Sequence, residues 1–217
     1  MINLPAKFFS YGCIHCGAAV TSKKLIMCRM CEHFLKRSSD DVVPGAVLSA
    51  VSYSSPEAKS LIYYMKDNND PYVFDYAASL IADKIRENEL LDHLSDYYIT
   101  YAPRNPKTVF KRHFDQAREI AEFLSIQLFD DDRVVSLFKR YPFASEQKGL
   151  GSSHRKENAR EIFSLNEKAV LPEKVIIVDD VTTTGSTLFV LRDILLDAGV
   201  RECFLCTVAV NDKKYDY

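Results

Sequence analysis

The chain lacks the features that mark membrane and secreted proteins. None of its apolar runs approaches the roughly 20 residues that a helix needs to span a bilayer. Its first residues, MINLPAKFFSYGC, contain no charged segment followed by a long apolar one, so they form a poor secretory signal. We therefore expect a cytoplasmic protein, in which cysteines stay reduced.

Two common nucleotide-binding fingerprints are also absent. No GxxxxGK[ST] segment occurs, which excludes a Walker A phosphate loop, and no GxGxxG follows a predicted strand, which excludes the dinucleotide fingerprint.

There are no internal repeats and no low-complexity tracts. A net charge of -2 on 217 residues gives no general attraction to nucleic acid. The remaining composition, 47% hydrophobic and 27% charged, is that of an ordinary globular protein.

The charge is unevenly distributed along the chain. Residues 1–40 carry six basic and two acidic groups, whereas the whole chain carries 28 basic and 30 acidic ones. The basic groups of this arm are Lys7, Lys23, Lys24, Arg29, Lys36 and Arg37. A basic arm on an acidic body favours a polyanion partner for the arm. The alternative is a solvated surface, and charge counts alone do not separate the two.

Four cysteines in the same region have the spacing of a structural zinc site. They form two CxxC pairs separated by eleven residues, and their members are Cys13, Cys16, Cys28 and Cys31. Gly17 suits the tight turn after the first pair. Because four thiolates fill a tetrahedral Zn2+ site, we predict a closed, structural site in a zinc-binding module of residues 1–38. The alternative interpretation is a set of redox-active pairs.

The rest of the chain has the pattern of an α/β domain. Residues 38–46, which include Pro44-Gly45, are predicted to be a linker, and residues 47–217 alternate short apolar runs with helical patterns. This alternation indicates a mainly parallel sheet. The predicted strands are Val47–Tyr53, Tyr97–Ala102, Val134–Phe138, Val175–Val178 and Cys203–Val210, and the predicted helices are Pro56–Lys66, Val73–Asn88, Phe114–Leu128 and Ser186–Ala198.

The segment 175–188, VIIVDDVTTTGSTL, carries the strongest functional signal. Asp179 and Asp180 follow a buried strand, and the carboxyl ends of parallel strands are where such folds bind ligands. Two adjacent carboxylates suit the vicinal hydroxyls of a ribose. The residues after them offer hydroxyls, backbone N–H groups and a helix N-terminus to a phosphate: Val181, Thr182, Thr183, Thr184, Gly185, Ser186 and Thr187. Ordinary helix capping is the alternative, but one capping residue would suffice for it.

Several cations are candidates to hold a pyrophosphate group. Pro103 and Arg104 follow a predicted strand end, and Arg112 is a second candidate. In the long polar and basic segment 139–160, the candidates are Lys148, His154 and Arg155, which would close over a ligand and exclude water. The alternative for each of these groups is a solvated surface cation.

The segment 175–188 resembles the signature of type I phosphoribosyltransferases. The resemblance implies a twisted, mainly parallel sheet flanked by helices, with a flexible hood. It also implies that Asp179 and Asp180 bind the ribose hydroxyls of phosphoribosyl pyrophosphate, and that the turn from Thr182 to Thr187 holds the 5-phosphate. Mg2+ would then be bound largely through the pyrophosphate of the ligand.

Nearly the whole chain is similar, in order, to the ComF (competence protein F) family. The motifs that carry this similarity follow the cysteine-rich start: Tyr63-Tyr64-Met65-Lys66, then Thr100 to Pro106, then Arg112-His113-Phe114-Asp115-Gln116, and then Gln147, Arg155, Asn158 and Phe163. His113 stands where the family usually has Gly, and Asp115 where it has Asn.

The ComF resemblance implies a role in natural transformation, in the handling of incoming DNA. One interpretation is a protein that binds phosphoribosyl pyrophosphate and Mg2+ and transfers the phosphoribosyl group, with Asp179, Asp180 and Arg104 as catalytic candidates. A second is a non-catalytic metabolite sensor whose basic zinc module contacts single-stranded DNA or a DNA-processing partner such as a DNA-uptake helicase. A third is a nucleobase salvage enzyme, against which the zinc module argues. No motif identifies an acceptor.

Overall fold

A four-stranded parallel sheet lies at the centre of the molecule. The computed structural model describes residues 11–38, 47–87, 91, 93–141 and 162–211. The strands of the sheet, in spatial order, are β3 (Val47–Ser52), β8 (Glu202–Val210), β7 (Lys174–Thr182) and β4 (Tyr97–Tyr101). The predicted α/β fold with a mainly parallel sheet flanked by helices and a four-cysteine N-terminal module is confirmed.

Six helices occur within the described residues. Their bounds are α1 (Arg29–Arg37), α2 (Pro56–Asp67), α3 (Pro71–Glu87), α4 (Pro106–Arg112), α5 (Gln116–Phe129) and α6 (Ser186–Asp197), and a 3-10 turn covers Leu94–Asp96. The four predicted helices are confirmed, and local signals explain their ends: Ser55 caps α2 by accepting the Ala58 N–H at 3.0 Å. In the part of the chain that is described, no helix is both long and apolar enough to cross a bilayer.

The sheet is covered on both faces, which explains the continuous apolar run of β7. Ile176 and Val178 pack into one cluster with α2, α3 and α5, whereas Val175 and Ile177 pack into a second cluster with α6. All four side chains have 0% exposure. Successive strand residues point to opposite faces, so both sets must be apolar when helices lie on both sides.

The prediction of a strand over Val134–Phe138 is wrong. Val134 makes only an isolated parallel bridge to Ile99, and the strand in this region is β5 (Phe138–Arg140), which pairs antiparallel with β6 (Phe163–Leu165). The Val135 N–H donates to the Ile99 carbonyl at 2.8 Å, after which the chain leaves the edge of β4. The apolar run marks burial correctly, but burial here comes from packing and not from a continuous ladder.

The N-terminal module packs directly on the main domain. It consists of β1 (Tyr11–Gly12), β2 (Ala19–Val20) and α1, and its buried side chains belong to the same apolar cluster as α2, α3 and α5. His15 Nδ1 lies 2.9 Å from Ser60 Oγ, and the Lys23 ammonium lies 5.6 Å from the centre of the Tyr72 ring. Of the predicted linker, residues 39–46 lie outside the described residues.

Candidate functional site

The predicted site lies at the carboxyl edge of the sheet, near the ends of β7 and β4. Asp179 and Asp180 lie inside β7, which continues to Thr182 and does not end at Val178 as the sequence suggested. Pairing with β8 also continues to this point, where Thr182 is opposite Val210. The two carboxylates are therefore carried by a paired strand and not by a loop, which fixes the positions of their backbones.

The two carboxylates are close together and largely removed from water. The Asp180 N–H donates to Asp179 Oδ1 at 2.8 Å, and the Val181 N–H donates to Asp180 Oδ1 at 2.9 Å. Asp180 is 7% exposed and Asp179 is half-buried. Burial raises the pKa of Asp179 well above its ordinary 3.8, and the charge of Asp180 raises it further. The two carboxylates repel each other when both are ionised. A ligand that offers hydroxyl donors or a cation to them would relieve this repulsion.

Arg104 is brought to the carboxylate pair from the neighbouring strand. Tyr101 of β4 is opposite Val178 of β7, and the Ala102 N–H continues this contact by donating to the Val178 carbonyl at 2.9 Å. The chain then turns at Pro103, and the Arg104 guanidinium forms a hydrogen-bonded ion pair with Asp180. Three residues predicted to act together, Asp179, Asp180 and Arg104, thus lie in one place.

The turn between β7 and α6 presents hydroxyl groups around a helix N-terminus. Thr182 is buried, and its Oγ1 accepts the Gly185 N–H at 2.9 Å, which closes the turn. Thr183, Thr184 and Ser186 are exposed, and the hydroxyls of the last two lie 2.6 Å apart. Thr187 follows in the first turn of α6 and is half-buried. These hydroxyls and the first N–H groups of α6 make an anion site chemically feasible.

Gly185 has a conformation that few other residues adopt. Its φ is +69°, and a Cβ at this position would lie 2.7 Å from a ring carbon of Phe189. The glycine therefore lets the turn approach the Phe189 ring and enter α6 without strain.

Arg112 contacts the C-terminal end of α2. Its guanidinium donates to the Lys66 carbonyl in the last turn of α2 and lies 3.9 Å from the Asp67 carboxylate. Its predicted ligand contact stays a prediction. The remaining predicted cations, Lys148, His154 and Arg155, lie outside the described residues.

Sequence reasoning missed several groups near the site. Tyr53 lies just beyond the end of β3, and hydrogen bonding to Tyr63 raises its pKa to about 12, with burial and the charge of Asp180 adding to the effect. Arg140 of β5 donates to the Pro103 carbonyl at 3.4 Å. Tyr53 directly follows β3, and the strand-end rule that located Asp180 applies to it as well.

The four cysteines of the N-terminal module form one cluster. Their Sγ atoms all lie within 4.8 Å of one another, and Cys16 Sγ lies 3.7 Å from Cys28 Sγ. Tetrahedral Zn2+ with Zn–S bonds of about 2.3 Å requires sulfur atoms about 3.8 Å apart. The cluster is therefore compatible with structural zinc. Gly17 supports it with a φ of +74°, and Cys28 precedes the first turn of α1.

The thiols of the cluster differ in acidity. Although burial opposes it, the N–H groups of Cys16, Cys28 and His15 lower the pKa of Cys13 to about 6. Burial raises the pKa of Cys31, and the neighbouring sulfurs raise it further. Four thiolates at this spacing repel one another, so all four ionise together only with a cation between them.

Two curated competence proteins are similar to the chain. Competence protein F of Haemophilus influenzae is 26% identical over 218 residues, which cover 90% of this chain and 95% of that protein. Competence protein ComFC of Streptococcus pneumoniae is 26% identical over 143 residues, which cover 64% of this chain and 60% of that protein. No protein-family model matches the chain. The resemblance to the ComF family that the motifs predicted is confirmed by these two relatives.

Solved phosphoribosyltransferases also align with the chain. The purine phosphoribosyltransferase of Pyrococcus horikoshii aligns at a TM-score of 0.35 and 20% identity, over 64% of this chain and 73% of that one. The hypoxanthine phosphoribosyltransferase of Trypanosoma cruzi aligns at a TM-score of 0.38 and 15% identity, over 74% of this chain and 69% of that one.

Proposed function

For a chain that resembles the ComF family, we propose that the protein binds phosphoribosyl pyrophosphate with Mg2+ and acts in DNA uptake during natural transformation. The observation that carries the binding proposal is the meeting of Asp179, Asp180 and Arg104 beside a hydroxyl-lined helix N-terminus. The names of the two curated relatives, both competence proteins, support the role in transformation.

In this proposal the carboxylate pair binds the ribose. Each of the two vicinal hydroxyls donates a charge-assisted hydrogen bond to Asp179 or Asp180, which is stronger than a bond between neutral groups. The backbone N–H groups that the pair already accepts occupy one oxygen of each carboxylate, which leaves the second oxygen of Asp179 for the ligand. The second oxygen of Asp180 is the one that Arg104 contacts, so this ion pair is loosened when the ribose binds.

The 5-phosphate is placed at the turn before α6. Its oxygens accept from the hydroxyls of Thr183, Thr184, Ser186 and Thr187 and from the first N–H groups of the helix, whose dipole favours an anion. Val181, Thr182 and Gly185 shape this turn through the backbone. No lysine is required for such a cradle.

The pyrophosphate is placed between the turn at Pro103-Arg104 and the cations predicted from the sequence. Arg104 is nearest to the carboxylates, and Arg112, Lys148 and Arg155 are the further proposed contacts. The oxygen donors at this edge, Asp179 and Asp180, fit Mg2+, which prefers carboxylates together with phosphate oxygens. The metal supplies charge neutralisation for the pyrophosphate when it is bound.

If the phosphoribosyl group is transferred, the site acts by positioning and electrostatics. Bond breaking at the anomeric carbon gives an oxocarbenium-like state while pyrophosphate leaves. Asp179 and Asp180 hold the ribose and Arg104 holds the pyrophosphate, so that the three residues stabilise the developing charges without a strong base. The acceptor is a nucleophile that the sequence does not identify.

The binding proposal is tested by calorimetry of the full chain with phosphoribosyl pyrophosphate, with and without Mg2+. We expect saturable binding of one ligand per chain that requires Mg2+. Failure to detect binding at millimolar ligand would refute the proposal. Pyrophosphate release measured across a panel of bases, amines and DNA then separates an enzyme from a metabolite sensor.

The chain is divided in this proposal between a zinc-binding module, residues 1–38, and a phosphoribosyltransferase-like domain, residues 47–217. Cys13, Cys16, Cys28 and Cys31 hold one structural Zn2+ through their thiolates. The metal provides the stabilisation that the small module cannot obtain from its own core.

An exposed face of α1 favours a nucleic-acid contact as a second function. Met30 is 64% exposed and Phe34 is 50% exposed, and they lie one helical turn apart. The basic residues Arg29 and Arg37 flank them. Exposed aromatic and basic side chains together are typical of surfaces that bind single-stranded DNA. Such a contact is compatible with ligand binding at the sheet edge.

A further inference from the structure

A buried carboxylate next to Arg104 has no part in the ligand contacts proposed above. Asp115 is 8% exposed. Its Oδ2 accepts the backbone N–H of Arg104 at 2.9 Å, and its Oδ1 accepts the backbone N–H of Ala117 at 3.2 Å. One side chain therefore connects the turn after β4 with the first turn of α5.

The chain has to reverse direction for this contact to form. Asn105 caps α4 by accepting the Lys107 N–H at 3.0 Å, and the helix ends at His113. His113 has a φ of +67°, in the left-handed region that commonly ends helices. After this reversal the chain runs back toward the turn that follows β4. Asp115 therefore contacts Arg104, although the two residues are 11 positions apart.

The segment around Asp115 is itself fixed to the main domain. On one side of it, Arg112 donates to the Lys66 carbonyl, and on the other side Gln116 Nε2 lies 3.4 Å from the Met65 carbonyl oxygen. Gln116 has 0% exposure. These contacts hold the segment against the last turn of α2, so Asp115 is a fixed point to which the Arg104 turn is attached.

Helix capping alone does not require a carboxylate here. In this chain α2 is capped by the neutral side chain of Ser55 and α4 by that of Asn105. Burial raises the pKa of Asp115, and the N–H and the charge of Arg104 partly oppose this, so its ionised form is held at a cost. A carboxylate differs from those neutral caps in offering two acceptor oxygens, and both are used.

We propose that Asp115 is the positioning residue for Arg104: it holds the Arg104 N–H and thereby directs the guanidinium to Asp180 and to the pyrophosphate of the ligand. The statement about the ligand rests on the proposed function. The statement about the contact between Arg104 and Asp180 does not rest on it.

A double-mutant cycle tests whether Asp115 directs Arg104 to the pyrophosphate of the ligand. Binding of phosphoribosyl pyrophosphate with Mg2+ is measured for the wild type, Asp115→Ala, Arg104→Ala and the double variant. We expect Asp115→Ala to weaken binding about tenfold when Arg104 is present and less than about twofold in the Arg104→Ala background, because the two act as a unit. Equal losses in both backgrounds would mean a general effect on the fold and would overturn the proposal.

Asp115→Asn provides a second variant with less risk to folding. Its single side-chain oxygen can cap α5 or hold Arg104, but not both. We expect both the thermal midpoint and the ligand affinity to lie between those of the wild type and Asp115→Ala. Ser55→Ala is the matched control, since it removes a cap from α2 without touching Arg104. A loss of affinity in Ser55→Ala as large as that in Asp115→Ala would argue against positioning.

The effect of Asp115 on the contact between Arg104 and Asp180 is tested without any ligand. Nitrogen-15 NMR of the Arg104 guanidinium reports whether rotation about its Nε–Cζ bond is restricted by the contact with Asp180. We expect restricted rotation in the wild type and free rotation in both Asp115→Ala and Asp180→Asn. Unchanged restriction in Asp115→Ala would refute the positioning role. If the wild type binds no phosphoribosyl pyrophosphate, the proposed function fails, and this measurement still decides the role of Asp115.

Discussion

At the scale of single residues, the Asp179 side chain is held under unfavourable electrostatic conditions. Burial and the neighbouring Asp180 raise its pKa, so the fold favours its protonated form. A carboxyl group whose pKa is raised on folding stabilises the protein fully below its unfolded value of 3.8. That contribution is lost as the pH rises through the folded pKa.

Asp179→Asn should therefore be more stable than the wild type at neutral pH. The amide keeps the acceptor for the Asp180 N–H but carries no charge. We expect the two proteins to be equally stable near pH 4 and to diverge above it, by at most about 1.4 kcal/mol per pH unit for one proton. Urea unfolding from pH 4 to pH 8 measures the difference. A difference that is constant over this range would mean that Asp179 does not titrate abnormally.

The double change Asp179→Asn with Asp180→Asn should abolish ligand binding while the protein stays folded. Each carboxylate is proposed to accept one charge-assisted bond worth about 1.5–3 kcal/mol, so the loss of both weakens affinity by roughly two orders of magnitude or more. Calorimetry with phosphoribosyl pyrophosphate and Mg2+ is the measurement. Affinity like that of the wild type would place the ligand elsewhere.

Thr184→Val removes a proposed contact to a different part of the ligand. Thr184 is exposed, and its substitution removes one hydroxyl from the proposed phosphate cradle while the N–H groups of α6 remain. A smaller loss of affinity than in the double variant is expected.

The residues that sequence analysis located share a simple rule. Asp179, Asp180 and Arg104 lie at the ends of predicted parallel strands, and strand ends meet at one edge of a sheet. Asp115 and Tyr53 were not found as site residues. Asp115 reaches Arg104 only because the chain reverses at His113, and such a reversal has no clear signal in a residue that is not glycine.

At the scale of secondary-structure elements, the turn into α6 depends on Gly185. Gly185→Ala introduces a strained φ and a Cβ 2.7 Å from the Phe189 ring. We expect a loss of about 1–3 kcal/mol in the free energy of unfolding and weaker ligand binding, because the turn is displaced. Urea unfolding and calorimetry measure the two effects.

Gly199→Ala provides the control for that prediction. Gly199 also has a positive φ, of +100°, but no atom lies within 4 Å of the added Cβ. It ends α6 at the far side from the proposed phosphate site, so its substitution should reduce stability without changing ligand affinity. If both variants lose affinity equally, the loss follows from stability and not from the turn.

The elements show where sequence patterns succeed and where they fail. Long helices with an apolar face, such as α3 and α5, were predicted to within a few residues. Helix α4 was missed because it has seven residues and none of them is buried. The apolar run at 134–138 looks like a strand, since a run of that length cannot reveal whether a ladder partner is present.

At the scale of the whole molecule, α2 lies between the four-cysteine module and the proposed ligand site. Glu57 and Ser60 contact His15 of the module, and Tyr63, about one turn after Ser60 in the same helix, raises the pKa of Tyr53, which the charge of Asp180 also raises. The buried side of α2, which includes Leu61, packs with α1 and α3 and belongs to the same apolar cluster as one face of the sheet. A change in the module can therefore reach the site through one helix.

The charge of the basic arm leads to a prediction for DNA binding. Charge reversal at Lys24 and Arg29 should weaken binding of single-stranded DNA and reduce its salt dependence, by about 0.7 in the logarithmic slope for each phosphate that is no longer neutralised. Lys23 is left unchanged because it lies over the Tyr72 ring and helps to dock the module. Fluorescence anisotropy with a labelled oligonucleotide at several salt concentrations gives the slope. If the variant binds DNA as tightly as the wild type, with the same salt dependence, the basic arm does not contact DNA.

Loss of the zinc site should open the module and also weaken the ligand site. We expect about one zinc per chain in the purified wild type, from metal analysis, and none in Cys28→Ser. The buried apolar side chains of the module, such as Leu35, share a cluster with α2 and α3, so their release exposes apolar surface of the main domain. The main domain should stay folded, because the cluster beneath α6 does not include the module, but at a lower thermal midpoint.

Hydrogen exchange distinguishes this outcome from general unfolding. In Cys28→Ser, protection should fall in residues 11–38 and along α2 and should persist in β7, whose neighbours on both sides remain. Cys203→Ser is the matched control, since Cys203 lies in β8 outside the cysteine cluster and its replacement should leave zinc content unchanged. Ligand affinity that is unaffected in Cys28→Ser would show that α2 keeps its place without the module. Equal loss of protection in β7 and in the module would show that the two cannot fold separately.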